Sequence, residues 1–381
     1  MRPTDDVEQL DFEGRSILIH RGRQALLVLN ETASLIWQEL CAGARPDAIA
    51  RDLADSFQIP LARVEHDVRS ILSTWQDAGL LREAPGPATK RSTAPDLSPP
   101  RPAISRTYAL CGRPIRFEFG DRSLETLLHP LFAPAEVEDA GTRDRISLSA
   151  TGGGYLVAVN GGRAEPRSDI EQALGAAIVR VLDLSYPDAR WLAIVHAGAV
   201  AGHSGALLLP GISGSGKSTL TAALVQAGLG YLSDDIAPID GRTGRIFPVP
   251  FALSLKEGSW PVLKHAYPGL LGLPVHTDDA RRWRYLDLAA ARAPLSGETL
   301  RAIVFPRYQR GAETCLTEVD PLDALEGLVQ ARCWISLERI DVEALLALLE
   351  TLPIYRLDYE SLDAAVPICL ELASDAGRPR P

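Results

Sequence analysis

The stretch Gly211-Ile212-Ser213-Gly214-Ser215-Gly216-Lys217-Ser218 decides how this chain is read. It follows the apolar run Gly205-Ala206-Leu207-Leu208-Leu209 and precedes a helical pattern from Thr219 to Ala227. This is the strand–loop–helix setting in which G-x-x-x-x-G-K-[ST] (Walker A) cradles phosphate. The glycines let successive amides turn inward at a helix N-terminus, the lysine reaches the β and γ phosphates, and the hydroxyl ligates Mg2+. The chain has only four lysines, Lys90, Lys217, Lys256 and Lys264, so a lysine at the required position is poorly supplied by chance. Gly211, Ser213, Gly214, Ser215, Gly216, Lys217, Ser218 and Thr219 are therefore expected to hold a nucleotide, ATP or GTP, with Mg2+.

Two flanking segments add chemistry. Downstream, Tyr231-Leu232-Ser233-Asp234-Asp235 reads as a short buried strand ending in paired carboxylates, directly after the helix-stopping Gly228 and Gly230. Adjacent carboxylates at a strand end can divide labour, one taking a proton from a hydroxyl and the other holding a metal. Upstream, Trp191 to Val200 is predicted as one strand carrying His196, returning through Gly202-His203-Ser204-Gly205 into the loop strand.

A histidine-bearing hairpin, the 211–218 loop and Leu232-Ser233-Asp234-Asp235 together resemble the catalytic core of the HPr kinase/phosphorylase family over roughly residues 190–255. Its nucleotide fold is similar to that of phosphoenolpyruvate carboxykinase. The resemblance implies that Lys217 and the loop amides hold the nucleotide, that Ser218 and Asp235 engage Mg2+, and that Asp234 is the base for a protein hydroxyl. His196 would support the phosphate or the base, the other reading being a satisfied core histidine. Extra positive charge for the transition state must come from arginine, with Arg284 and Arg307 the candidates chosen among Arg281, Arg282, Arg284, Arg307 and Arg310. The glutamate-containing stretch that follows the acidic pair in HPr kinases is absent. Phe247 to Lys256 stands there instead and looks like divergent HPr-kinase-related proteins found with peptide-modifying systems. Lys256 itself is read either as an exposed lysine after a strand or as a group approaching substrate or nucleotide.

The remaining C-terminal patterns (helices over 321–330, 342–349 and 362–373, strands over 302–306 and 354–358) complete an α/β body. Before it, 104–186 reads as a hairpin around Cys111-Gly112-Arg113-Pro114, a helix over 123–132, a second hairpin around Gly152-Gly153-Gly154 and a helix over 168–184. That region shows no chemistry and is expected only to cover a sheet edge. Residues 85–103 crowd six prolines and read as an extended tether.

Ahead of the tether, 16–20 and 24–29 flank Arg21-Gly22-Arg23 as a hairpin, and three helices follow. Asn30 caps the first, with Ala33, Ile36, Trp37 and Leu40 on one stripe. Pro46 opens the second, with Ile49, Leu53 and Phe57 spaced by four. The third carries Val64, Val68, Ile71, Leu72 and Trp75 on one face and stops at Gly79. This arrangement, with Leu29-Asn30-Glu31-Thr32-Ala33 and Gly79-Leu80-Leu81, resembles the PqqD family of peptide-binding modules, which are similar to winged helix-turn-helix domains. The resemblance implies that the 15–30 hairpin and the 61–78 helix hold the leader of a ribosomally made precursor peptide. A strand added to the hairpin edge would give affinity, and a helix groove selection.

Hydrophobic residues make up 46% and charged residues 23%, which excludes a largely disordered chain. With 49 acidic against 39 basic residues the net charge is −10, which disfavours nucleic acid and anionic membranes as partners. The third helix sets Glu65, Asp67 and Asp77 against Arg63 and Arg69 and has no phosphate-binding face. The five cysteines are odd in number and widely spaced, as in reduced thiols. The acidic start and the lack of any apolar run of about 18 residues point to the cytoplasm.

The expected architecture is an α/β P-loop kinase domain of HPr kinase/phosphoenolpyruvate carboxykinase type at 104–381, with a covering region (104–186) and a catalytic core (187–381). A tether at 85–103 joins it to a small winged helix-turn-helix α+β domain at 1–84. The expected activity is ATP-dependent phosphorylation of a peptide hydroxyl, most simply serine, by a kinase that retains or has lost the reverse phosphorolysis. A nucleotide-gated peptide chaperone and a winged-helix regulator are the other readings, and the kinase resemblance leaves a homo-oligomer open. Tethered capture would raise the effective concentration of the acceptor at the active site to about millimolar.

Overall fold

The computed structural model describes residues 2–82, 102–139, 141–278 and 280–374. Two compact units result: the N-terminal residues, which group with Ser336–Glu343, and the remainder. The tether expected at 85–103 lies outside the described residues apart from Pro102 and Ala103.

In the N-terminal unit, Arg15–His20 is the middle strand of three, flanked by Val7–Phe12 and Ala25–Val28, all antiparallel. The sequence reading contained the second hairpin but not strand Val7–Phe12. Glu13 and Gly14, at φ 46° and 80°, make the two-residue turn that returns it. The strand was missed because its apolar residues, Val7, Leu10 and Phe12, do not keep strict alternation.

Helices Glu31–Cys41, Pro46–Phe57 and Leu61–Asp77 follow as expected. Asn30 caps the first by accepting a bond from the Ala33 amide at 2.8 Å. Leu18, Trp37, Leu40, Ile49, Val64, Val68, Leu72 and Trp75 form one core, with the Trp37 and Trp75 rings edge to face at 5.3 Å. The second helix turns differently from its predicted stripe. Ile49, Ala50 and Ala54 are buried while Phe57, its last residue, is 54% exposed, because Gln58 enters the left-handed region and ends the helix there.

The larger unit begins with a five-stranded sheet ordered Glu165–Arg167, Gly154–Val159, Arg145–Thr151, Ile115–Phe119, Ile104–Tyr108. Helices Arg122–Phe132 and Ile170–Ser185 cover it, and its aromatic core of Tyr108, Phe117, Phe119 and Phe132 continues into Val249 and Phe251 of the following body.

That body is a mixed ten-stranded sheet whose spine is the long strand Glu298–Tyr308. It pairs in parallel with Gly205–Pro210 and with Ile354–Tyr359, and its start pairs antiparallel with Arg245–Ile246. Helix Lys217–Gln226 packs Leu220 and Leu224 against Leu207, Leu209, Val304 and Leu357. A three-stranded sheet of His276–Thr277, Arg282–Leu286 and Leu253–Lys256 lies beside this core.

One element departs from expectation in a way that matters. Trp191 to Val200 is two strands. Trp191–Val195 pairs with Ala237–Asp240 and Trp334–Ile335, whereas Ala197–Gly202 pairs with Gly205–Pro210 and Gly230–Ser233. His196 sits at the break, where the chain changes partners and no ladder fixes its backbone. Its amide instead donates to Cys333 Sγ at 3.3 Å.

Candidate functional site

The buried strand Gly205–Pro210 delivers the chain into a tight turn over 211–216 and then into helix Lys217–Gln226. Gly214 and Gly216 stand at φ 93° and 92°, where a side chain is strained. A Cβ on Gly216 would stand 2.3 Å from Tyr359 Oη, and one on Gly211 2.5 Å from Ser215 Oγ, whereas Gly214 has nothing within 4 Å. The turn rests on the ends of two parallel strands: the Tyr308 amide donates to Ser215 O at 2.9 Å, and Tyr359 Oη donates to Gly216 O at 3.4 Å. Lys256 Nζ donates to Ser213 Oγ at 2.5 Å, so this lysine reaches the turn although its exposure reads as that of an ordinary surface residue. Ser218 and Thr219 occupy the first helical turn.

Lys217 crosses the sheet at Gly198. A Cβ there would meet Thr221 Oγ1 at 2.1 Å and Lys217 Cγ at 3.5 Å, so only glycine lets the helix settle this close. The stem is thereby buried and the ammonium emerges between two partners, Asp235 Oδ1 at 2.6 Å and His196 Nε2 at 3.0 Å. An ammonium can only donate, so Nε2 accepts and the imidazole proton is assigned to Nδ1, which faces Asp235 Oδ1 at 3.6 Å. Burial, then the Lys217 charge, hold the His196 pKa below its ordinary value, with Asp235 opposing.

Asp234 and Asp235 diverge. Ser233 Oγ bonds both the carbonyl and the amide of Ile236, closing the turn that separates them. Asp234 is 4% exposed, and among the described residues its carboxylate oxygens make no well-formed hydrogen bond, the Ser218 side chain and the Ser254 backbone being the polar groups beside it. Burial, then the neighbouring Asp235 charge, push its pKa up to about 7. Lys217, the Ser218 side chain and the Ser254 backbone draw it partway back. The Asp235 side chain is 45% exposed and lines a cavity of about 1120 Å3 together with His196 and Ser213.

Of the residues expected at the site, the structure brings together the 211–219 turn, Lys217, His196, Asp234 and Asp235. One expectation is corrected. Arg284 does not face the turn: its Nη1 donates to the carbonyls of Leu270, Leu271 and Leu273, and its guanidinium lies 4.5 Å over the Trp260 ring. Ser218 lies beside Asp234, and Asp235 Oδ1 accepts from Lys217 Nζ. Arg307 stays exposed on the strand that buttresses the turn, 3.5 Å from Asp358.

The sequence reading missed the cavity wall contributed by the 104–186 region, whereas Lys256, read there as an exposed lysine or as a group approaching substrate or nucleotide, contacts the turn. Lys256 had a signal in the scarcity of lysine, but the wall, which depends on tertiary packing, had none. No group of three or more metal-ligating side chains occurs among the described residues, and no helix among them is long and apolar enough to cross a membrane.

Comparison with known proteins bears on the N-terminal unit. Residues 15–81 match the family model "Coenzyme PQQ synthesis protein D (PqqD)", so this unit carries a PqqD domain. A solved structure, "TbiB1 in Complex with the TbiA(beta) Leader Peptide", is similar at 24% identity over 23% of this chain and 100% of that chain, with a TM-score of 0.22. No curated protein matches the chain.

Proposed function

We propose that the chain is an ATP- and Mg2+-dependent kinase that phosphorylates a hydroxyl, most simply a serine, of a ribosomally made precursor peptide whose leader is held by the PqqD domain. The observation that carries this reading is the convergence of a buried lysine, two divergent carboxylates and a histidine at the N-terminus of the helix that follows the glycine turn. The residues suit the groups they would hold. A buried carboxylate beside a serine hydroxyl is a donor set that suits a hard cation, and Mg2+ needs only one or two carboxylates when phosphates complete its shell.

When bound, ATP supplies the γ-phosphoryl group and Mg2+ neutralises charge developing on it. Lys217 and the 211–216 amides would hold the phosphates, and Asp234 with Ser218 would hold the cation. Asp235 acts as base, reversing the duties expected from resemblance, because a base must reach the acceptor and only Asp235 opens on the cavity. The acceptor oxygen bonds to phosphorus as the β–γ bridging P–O bond breaks. ADP leaves and the hydroxyl proton passes to Asp235, with His196 beside it. Lys256, which reaches Ser213 of the turn, and the exposed Arg307, on the strand that buttresses it, would add positive charge.

For the leader, strand Ala25–Val28 pairs on one side with Arg15–His20 and offers its other edge among the described residues. Arg23 donates to Asp77 O at 2.9 Å, tying this hairpin to the end of helix Leu61–Asp77. An extended leader adding to that edge is the mode such a surface suits.

The test is transfer of label from γ-32P-ATP to the precursor peptide by the full chain, with a mass gain of about 80 Da. Transfer that Asp235→Asn abolishes supports the reading. Peptide binding without transfer would reduce the chain to a nucleotide-gated peptide binder.

A further inference from the structure

The cavity that opens on Asp235 and His196 is built by two walls the mechanism above does not use. One is the 104–186 region, through Glu165, Arg167 and the face of helix Ile170–Ser185 that includes Gly175, Ala176 and Val179. The other is the short segment after helix Pro321–Gln330, ending in Arg332 and Trp334.

That second wall is fixed rather than loose. The Arg332 amide donates to Val329 O at 3.0 Å and the Cys333 amide to Leu328 O at 3.3 Å, the paired bonds of a helix stop normally made by glycine. Arg332 takes the left-handed backbone there at φ 59°. Cys333 Sγ accepts the His196 amide, and Trp334 pairs with Ile194. The segment is thus anchored to the strand that ends at His196, which holds Arg332 and Trp334 at the cavity in register with the reacting group.

Charge distinguishes Arg332 from the other cations in the lining. Arg167 and Arg180 both pair with Glu165, and Arg281 pairs with Asp278. The Arg332 guanidinium is exposed and has no ion-pair or hydrogen-bond partner among the described residues, and Trp334 beside it is 46% exposed. The volume, about 1120 Å3, exceeds the roughly 300–1,000 Å3 of small-molecule pockets, and the glycine and alanine on the facing helix leave room for a main chain.

The geometry points to this cavity as the binding site for the acceptor segment of a polypeptide, selected for a carboxylate side chain near the acceptor hydroxyl by Arg332, with Trp334 packing against the neighbouring residue. The assignment rests on the kinase reading for the identity of the acceptor, but it makes a claim about peptide binding that stands apart from transfer.

The experiment uses the full chain with Mg2+ and a non-hydrolysable ATP analogue. Fluorescein-labelled decapeptides carry one serine flanked by aspartate, alanine or lysine, and binding is read by anisotropy. The aspartate-flanked peptide is expected to bind about tenfold more tightly than the lysine-flanked one. Arg332→Glu should reverse that order, and Trp334→Ala should weaken both. Arg332→Gly, which suits the left-handed backbone better, should fold at least as stably as the parent and lose the preference. Equal binding of all three peptides, no binding of any, or a preference untouched by Arg332→Glu overturns the assignment. Charge-selective binding without label transfer would keep the cavity and reject the kinase, whereas transfer without charge preference would do the opposite.

Discussion

Lys217 Nζ stands 2.6 Å from Asp235 Oδ1, and the two partners are unequally placed: the lysine side chain is 7% exposed and the aspartate 45%. A buried ammonium needs its partners, whereas a half-exposed carboxylate can exchange one partner for another. The same carboxylate raises the His196 pKa against burial and the lysine charge, which lower it. Asp235→Asn should therefore lower the His196 pKa further, read by NMR titration of its ring nitrogens. The stability cost should be modest, about 1 kcal/mol, because solvent screens the pair.

Asp234 makes stability depend on pH. Its unfolded-state pKa is about 4, while burial and Asp235 raise it to about 7 in the folded chain. Between these values the native state keeps a proton that the unfolded state has lost, so this group lowers stability as pH rises from about 4 to 7, and the penalty is constant above. Asp234→Asn should raise Tm relative to the parent at pH 8, by the equivalent of about 2 kcal/mol, and leave it little changed at pH 4. Thermal melts across that range check the sign.

The two left-handed glycines of the turn should respond unequally. Gly214→Ala meets only backbone strain, about 1 kcal/mol, since its surroundings are open. Gly216→Ala adds a collision with Tyr359 Oη and should cost about 2–3 kcal/mol. Tyr359→Phe in the Gly216→Ala background should recover part of the loss, measured by denaturant unfolding.

Arg284 and Arg307 separate structure from chemistry. Arg284→Ala removes three carbonyl contacts and the stack on Trp260, and should cost about 2 kcal/mol while nucleotide affinity holds. Arg307→Ala, at an exposed position, should leave Tm unchanged and slow transfer. Melting curves and single-turnover rates on both variants test this contrast.

How far the sequence could be read depended on how local each signal was. The turn, its helix and the Asp234–Asp235 pair are contiguous patterns, and Asn30, Pro46 and Gly79 mark helix ends by residue chemistry alone. The break at His196 was illegible because Trp191 to Val200 is uniformly apolar, and only pairing with Ala237–Asp240 on one side and Gly205–Pro210 on the other divides it. Arg284 was misplaced for a related reason: its register opposite Leu255 turns it toward the 270–273 carbonyls, a direction fixed by the pairing of distant strands. The opposite directions of Asp234 and Asp235 follow from the Ser233–Ile236 turn, and adjacency in sequence gave no indication of which acid would be buried.

The most direct measurement of the central claim is calorimetric titration of ATP into the full chain with Mg2+ present and absent. Saturable binding that requires Mg2+ is expected, weakened about a hundredfold by Lys217→Met and deprived of its Mg2+ dependence by Asp234→Asn. No heat with Mg2+ and ATP, or binding that neither substitution alters, would contradict it.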